Sequence, residues 1–146
     1  YSDFELGNFA SIEFDGFEDD LDIGNLQVYK SREAKYCKIY IDFIEKRLSV
    51  GDAFEGELKV TQISDNFESI GVDAKYTDFY LPLPKRVPYF LSARLQYGEL
   101  FFDGDCSEQQ FNAGSDVIEA ECEFNNPGDD SPLVTITTFS SNVHLK

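Results

Sequence analysis

The segment Asp103–Glu108 ("DGDCSE") brings together the side chains best suited to chemistry: carboxylates, a glycine and a thiol. Its oxygens could bind a hard cation such as Ca²⁺. The Cys106 thiol could react or pair with a second cysteine, but the neighbouring carboxylates disfavour the thiolate that a nucleophile needs. The segment is therefore interpreted either as part of a cation site or as a turn that carries a disulfide cysteine.

Two further acidic turns, residues 18–25 and 125–131, could contribute to a calcium site. Neither they nor the first segment has the glycine and glutamate spacing of an EF-hand loop. If the three turns converge at one end of the domain, their carboxylates could be pooled. The alternative is that Asp, Asn and Gly are there because turns favour them. The candidate ligands are Asp20, Asp22, Asp103, Asp105, Asp129 and Asp130, and no cofactor other than calcium is expected.

The chain has three cysteines, so one stays unpaired if a single disulfide forms in a monomer. Cys37 and Cys122 both fall on the apolar stripe of a predicted strand. Pairing of Cys106 with Cys122 would close a short loop and is favoured, with Cys37 left as a buried thiol. Pairing of Cys37 with Cys122 across the core is the alternative. A disulfide would indicate a secreted protein, and three free thiols would indicate an intracellular one.

Familiar catalytic arrangements find little support. His144 is the single histidine, so a serine or cysteine triad would depend on one side chain near the end of the sequence. Neither a two-histidine zinc site nor a glycine-rich phosphate loop is possible. We expect no enzyme, and catalysis by carboxylates alone is the remaining catalytic alternative.

The chain of 146 residues carries a net charge of −16, which disfavours binding to nucleic acid and to anionic lipid. No apolar run is long enough for a membrane helix, so membrane insertion is not expected. Residues 1–25 hold eight acidic and no basic residues, whereas residues 26–60 hold seven bases and six acids. This distribution leaves open an acidic nucleic-acid mimic that blocks a DNA- or RNA-binding protein.

Apolar and polar residues alternate with period two in several short runs, for example Cys37–Phe43, Ser69–Tyr76 and Ile118–Phe124. The segment Ser49–Val60 is similar to turn-and-strand segments of immunoglobulin-like sandwiches. No internal repeat is evident. The pattern predicts one all-β domain over residues 1–146, an antiparallel β-sandwich (immunoglobulin-like or jelly-roll-like) of about seven to nine strands. Residues 1–25 form an acidic aromatic segment that could be partly flexible.

These features predict a non-catalytic, secreted, effector- or toxin-like module that binds another protein through an exposed aromatic and charged surface. A calcium-stabilised adhesive or carbohydrate-binding module is the alternative, besides the acidic mimic. A lipid carrier is also conceivable. The candidate interaction residues are Phe14, Phe17, Lys46, Arg47, Lys85 and Arg86.

Alkylation of the denatured, unreduced protein tests the cysteine assignment. We expect one alkyl group per molecule by intact mass, because two of the three thiols would be protected in a disulfide. Reduction before alkylation should give three groups, and peptide mapping would name the pair. Three groups without reduction would contradict the disulfide and the secreted assignment together.

Overall fold

A computed structural model describes residues 2–7, 9–101 and 117–145. Within these residues all regular structure is β, with no helix, which confirms the predicted all-β class. The strands are β1 (Ser2–Leu6), β2 (Phe9–Glu13), β3 (Gly16–Phe17), β4 (Asp19–Ser31), β5 (Ala34–Lys35), β6 (Lys38–Phe54), β7 (Glu57–Ile63), β8 (Ser69–Lys75), β9 (Asp78–Tyr80), β10 (Tyr89–Gln96), β11 (Glu99–Phe101), β12 (Val117–Phe124), β13 (Leu133–Phe139) and β14 (Asn142–His144).

The strands pair in parallel, and the predicted antiparallel sandwich of seven to nine strands is not confirmed. Among the described strands, β10 with β12 is the antiparallel pair. Partners between consecutive coils are separated by 17 residues (Ser2 and Asp19) to 22 residues (Leu48 and Ile70). The chain therefore climbs in stacked coils of similar length, a solenoid-like arrangement. The coils form one sheet that wraps around the core and nearly closes on itself.

The core consists of rows of apolar side chains that run from coil to coil. Successive residues of a strand face opposite sides of a sheet, so parallel in-register pairing stacks inward residues on inward residues. Leu21, Ile39, Leu58 and Phe79 form one such row through β4, β6, β7 and β9. A second row crosses the other side of the core and contains Tyr29, Leu48, Ile70, Val134, Leu91 and Cys122. All residues of both rows are buried.

Each coil turns at one corner through a residue with positive φ that is not glycine. These residues are Glu18, Tyr36, Glu55, Tyr76, Ser140 and Tyr97, with φ between 49° and 56°. The left-handed conformation is unfavourable for residues with a Cβ. It is stabilised here by a hydrogen bond to the neighbouring coil: Tyr36 N donates to Phe54 O at 2.8 Å, and Tyr76 N donates to Phe139 O at 2.9 Å.

The spatial order of the coils differs from their order in the chain. β13 lies between β8 and β10, with parallel register to both, and β14 lies between β9 and β11. Residues 133–144 therefore form a coil that is inserted between residues 69–80 and residues 89–101. From β3 towards β10, the corner residues stack in the order 18, 36, 55, 76, 140 and 97.

Glycine at the residue after the corner allows neighbouring coils to approach closely. A Cβ on Gly98 would overlap the carbonyl oxygen of Ser141, and a Cβ on Gly56 would overlap that of Cys37. Both obstacles are backbone atoms, which cannot rotate away.

Gly98→Ala should therefore lower the free energy of unfolding by about 2 kcal/mol or more, because the inserted coil must shift to make room. Gly71→Ala is the matched control, since nothing lies within 4 Å of the added Cβ. Urea unfolding of both variants measures the difference. Equal stability of the two variants would contradict the close approach of the coils at Gly98.

Candidate functional site

Six aromatic rings form a continuous line along the corner of the coils. In spatial order they are Phe17, Tyr36, Phe54, Tyr76, Phe139 and Tyr97, and we call this line the aromatic column. Neighbouring ring centroids are 5.5 to 5.8 Å apart, and the planes cross at 82° to 90°. Such edge-to-face contacts are a favourable geometry for aromatic pairs. The rings therefore support one another from coil to coil.

The backbone register places the rings in two adjacent rows. Phe17, Phe54 and Phe139 occupy the last strand position before the corner, in the first, third and fifth coils of the stack. Tyr36, Tyr76 and Tyr97 occupy the left-handed corner position itself, in the second, fourth and sixth coils. Each row thus carries a ring on every second coil, and the two rows alternate.

The column is exposed to an extent that core packing does not require. Phe17, Tyr36, Tyr76 and Tyr97 are 57%, 42%, 48% and 54% exposed. In the described part of the chain, one further large hydrophobic side chain is this exposed, Leu133. Single exposed apolar residues are ordinary, whereas a contiguous group of them indicates an interaction surface.

Charged residues fill four of the positions that alternate with the rings, and Gln96 and Ser140 fill the other two. Lys35 and Lys75 alternate with the phenylalanines in one row, and Glu18 and Glu55 alternate with the tyrosines in the other. Lys35 Nζ donates to Glu33 Oε1 at 3.0 Å, and this hydrogen bond raises the pKa of Lys35. The ring line is thus bordered by charges of both signs.

A shallow groove of about 450 Å³ runs beside the column. Its lining includes the rings of Phe17, Tyr36 and Phe54 and the acidic residues Asp52 and Asp73. The remaining lining residues are Lys35, Ala53, Ala74 and Lys75. The groove therefore combines aromatic rings with charged groups of both signs.

The predicted interaction residues do not form one surface. Phe17 belongs to the column, whereas Phe14 is partly buried against the core. Lys46 and Arg47 lie in the middle of β6, away from Phe54 at its end. The Nε atom of Arg47 is 2.8 Å from Glu68 Oε2. Lys85 and Arg86 lie in the connection before β10. In this connection the carbonyl oxygen of Lys85 accepts a hydrogen bond from the side-chain amide of Asn125.

The predicted calcium ligands are also distributed over the molecule. Asp20 and Asp22 lie on β4, and Asp103 and Asp105 fall outside the described residues. Asp129 and Asp130 line an open cavity of about 550 Å³ together with Asp65 and Glu68. Within the described ranges, no group of three or more His, Cys, Asp or Glu side chains is arranged to hold a metal ion.

Of the cysteines, Cys37 is a buried free thiol whose Sγ donates to the carbonyl of Lys35 at 3.3 Å. Burial raises the pKa of this thiol. Cys122 lies on the buried face of β12. Cys106 lies outside the described residues, so the Cys106–Cys122 disulfide stays a prediction.

His144 is half-buried in a stack of rings. It lies between Tyr80 and Phe101, parallel to both, with centroid distances of 4.6 Å on each side. The stack joins β9, β14 and β11 and so helps to hold the inserted coil. This arrangement assigns the histidine a packing role.

Sequence reasoning found Phe17 and missed the other five rings of the column. A signal was present, because Phe17, Tyr36, Phe54, Tyr76 and Tyr97 recur at intervals of 19, 18, 22 and 21 residues. Each ends an alternating strand. The intervals vary and the residue type changes between Phe and Tyr, which conceals the recurrence from a search for a fixed repeat.

No family model, no curated protein and no solved structure matches the chain. Among the described residues, no helix is long and apolar enough to cross a membrane.

Two tyrosines outside the column are protected from solvent. Burial raises the pKa of Tyr89 to about 12 and also raises the pKa of the fully buried Tyr29. The ordinary value is 10.0. The folded state therefore holds these phenolic protons more tightly than the unfolded state does.

The contribution of the buried Tyr89 to the free energy of unfolding should accordingly be constant below the ordinary pKa of tyrosine and fall as the pH rises from 10.0 to about 12. Urea unfolding at a series of alkaline pH values measures the slope. Tyr89→Phe should reduce the slope, whereas Leu133→Ala, which removes an exposed side chain that does not titrate, should leave it unchanged. A slope that is insensitive to Tyr89→Phe would contradict the assigned burial.

Proposed function

We propose that the protein is a non-catalytic, secreted interaction module that binds another protein through the aromatic column. The observation that carries the proposal is the continuous line of six rings along one corner of the coils, four of which are exposed. Tyrosine is among the residues enriched in binding hot spots. An effector- or toxin-like role would use such a surface to engage a host or partner protein.

The exposed rings of the column would supply a large part of the binding free energy. Burial of the exposed half of one ring stabilises a complex by about 2 kcal/mol, at roughly 25 cal/mol per Å². The four exposed rings buried together would therefore contribute about 8 kcal/mol, which is comparable to the cost of association of roughly 4 to 15 kcal/mol. The edge-to-face contacts hold the rings in place before binding, so little side-chain entropy is lost.

The charge around the column favours a partner with basic residues. The net charge of −16 attracts a cationic surface and accelerates its association. Asp52 and Asp73 place part of that charge directly beside the rings. Lys35 and Lys75 limit the orientations in which a partner can bind.

A carbohydrate-binding module is the second candidate, because the same exposed tyrosines could stack on sugar rings.

The acidic mimic is less favoured by the described residues. One outward row reads Asp20, Lys38, Glu57, Asp78, Asn142 and Glu99, so a lysine and an asparagine interrupt its line of carboxylates.

The double variant Tyr36→Ala/Tyr76→Ala should lose the partner, because it removes two rings from the middle of the column. The measurement is quantitative capture from an extract of the natural source on immobilised wild-type and variant protein. A captured protein is then purified, and its affinity for both forms is determined. We expect the affinity to fall at least about tenfold in the variant.

Leu133→Ala is the matched control, since it removes an exposed apolar side chain outside the column. It should bind the partner as wild type does, and thermal melting should confirm that both variants fold. A partner that binds the double variant with undiminished affinity would contradict the proposal.

A further inference from the structure

The spacing of the rings defines a repeat along the column. Adjacent strands of a sheet are about 4.8 Å apart, so rings of the same row, which lie on every second coil, are about 9.6 Å apart. Phe17, Phe54 and Phe139 follow this repeat in one row. The six coils give the column a length of about 24 Å. A ligand that contacts all rings of one row must present equivalent groups at the same repeat.

A polyproline II segment meets this requirement most closely. It has three residues per turn and rises about 3.1 Å per residue, so equivalent side chains recur about every 9.3 Å on one face. The mismatch accumulated over three rings of a row is below about 1 Å. Two turns of an α-helix span about 10.8 Å, and alternate residues of a β-strand recur about every 6.7 Å, so both lose register sooner.

The shape of the column also favours an extended segment. The column is two rows wide, and a stable interface between globular proteins needs about 800 Å² on each partner. A globular partner with a flat surface, including a second copy of this chain, would contact only the aromatic column and would bury less than this area. Two copies would in addition each bring a net charge of −16. A narrow chain can instead lie against the rings and in the groove beside them.

The groove indicates which charges the segment carries. Asp52, Asp73, Lys35 and Lys75 line it, and the ammonium group of Lys35 is already paired with Glu33, so two carboxylates face the one remaining lysine. Lysine or arginine residues in the segment would thus find carboxylates next to the rings. Aromatic-lined grooves are the usual receptors of polyproline II segments, because these bind with little loss of entropy.

We propose that the aromatic column binds a proline-rich, basic segment of a partner protein in the polyproline II conformation. This inference rests on the proposed function and specifies its partner. The phenylalanine row contacts every third residue of the segment, the tyrosine row contacts the residues between, and Asp52 and Asp73 pair with its basic side chains.

The test uses a fluorescein-labelled peptide of repeated Leu-Pro-Pro units flanked by lysines, with binding followed by fluorescence anisotropy. One control peptide has glycine in place of proline, and a second has the same composition with irregular spacing of leucine. We expect both controls to bind at least about tenfold more weakly than the regular peptide.

Phe54→Ala and Tyr76→Ala should weaken binding of the regular peptide to a similar extent, whereas Leu133→Ala should not. Asp52→Asn/Asp73→Asn should weaken it and reduce its salt dependence.

Equal binding of the regular and irregular peptides, or binding unaffected by Phe54→Ala and Tyr76→Ala, would overturn the inference. The proposed function would still stand if the captured partner depends on Tyr36 and Tyr76 without such a segment. A neutral glucan could instead retard wild-type protein in affinity electrophoresis but not the column variants. If in addition no protein partner is captured, this result would overturn both the proposed function and the inference. Column-dependent dimerisation in sedimentation would assign the surface to a second copy and overturn the inference.

Discussion

In-register hydrogen bonding between successive coils is the constraint on which the rest of the structure depends. The first five corner residues of the stack donate their N–H to a carbonyl of the next coil, as Glu55 does to Lys75 at 3.0 Å and Ser140 does to Gln96 at 2.7 Å. The bonds fix the stagger of the coils, and the stagger fixes which side chains become neighbours. The apolar rows of the core and the line of rings on the surface are two results of the same register.

The corner conformation explains why tyrosine can serve at a position where glycine would be expected. A left-handed residue that carries a Cβ costs roughly 1 kcal/mol or more. The hydrogen bond to the next coil offsets part of this cost, and the ring of Tyr36 or Tyr76 gains edge contacts with phenylalanines on both sides. Local strain and the exposed surface are therefore linked, because the strained position is the one from which a tyrosine reaches between two coils.

Much of the local structure could be predicted from the sequence. The alternation of apolar and polar residues predicted strands at Ser69–Tyr76 and Ile118–Phe124, where β8 and β12 are found. The pairing mode could not be predicted, because period two describes parallel and antiparallel strands equally well. Several corners also lack the expected signals, since Tyr36 and Tyr76 turn the chain without an adjacent glycine or proline.

The column was harder to predict than the strands because its neighbours are distant in sequence. Phe17 could be singled out as an aromatic residue among acids. The contact of Tyr97 with Phe139 joins residues 42 apart in the chain, and it exists because another coil is inserted between consecutive ones. No spacing rule within the sequence specifies that insertion.

The inserted coil has a consequence for biosynthesis. A stack that grew in chain order would place residues 89–101 on residues 69–80 as soon as both had left the ribosome. The observed neighbour of both is residues 133–144, which are translated later, and β13 pairs with β8 across 64 positions, as Val134 does with Ile70. Contacts of such long sequence separation slow folding. Residues 133–144 can therefore take their place only if residues 89–101 have not yet packed on residues 69–80, or if such a contact is broken again.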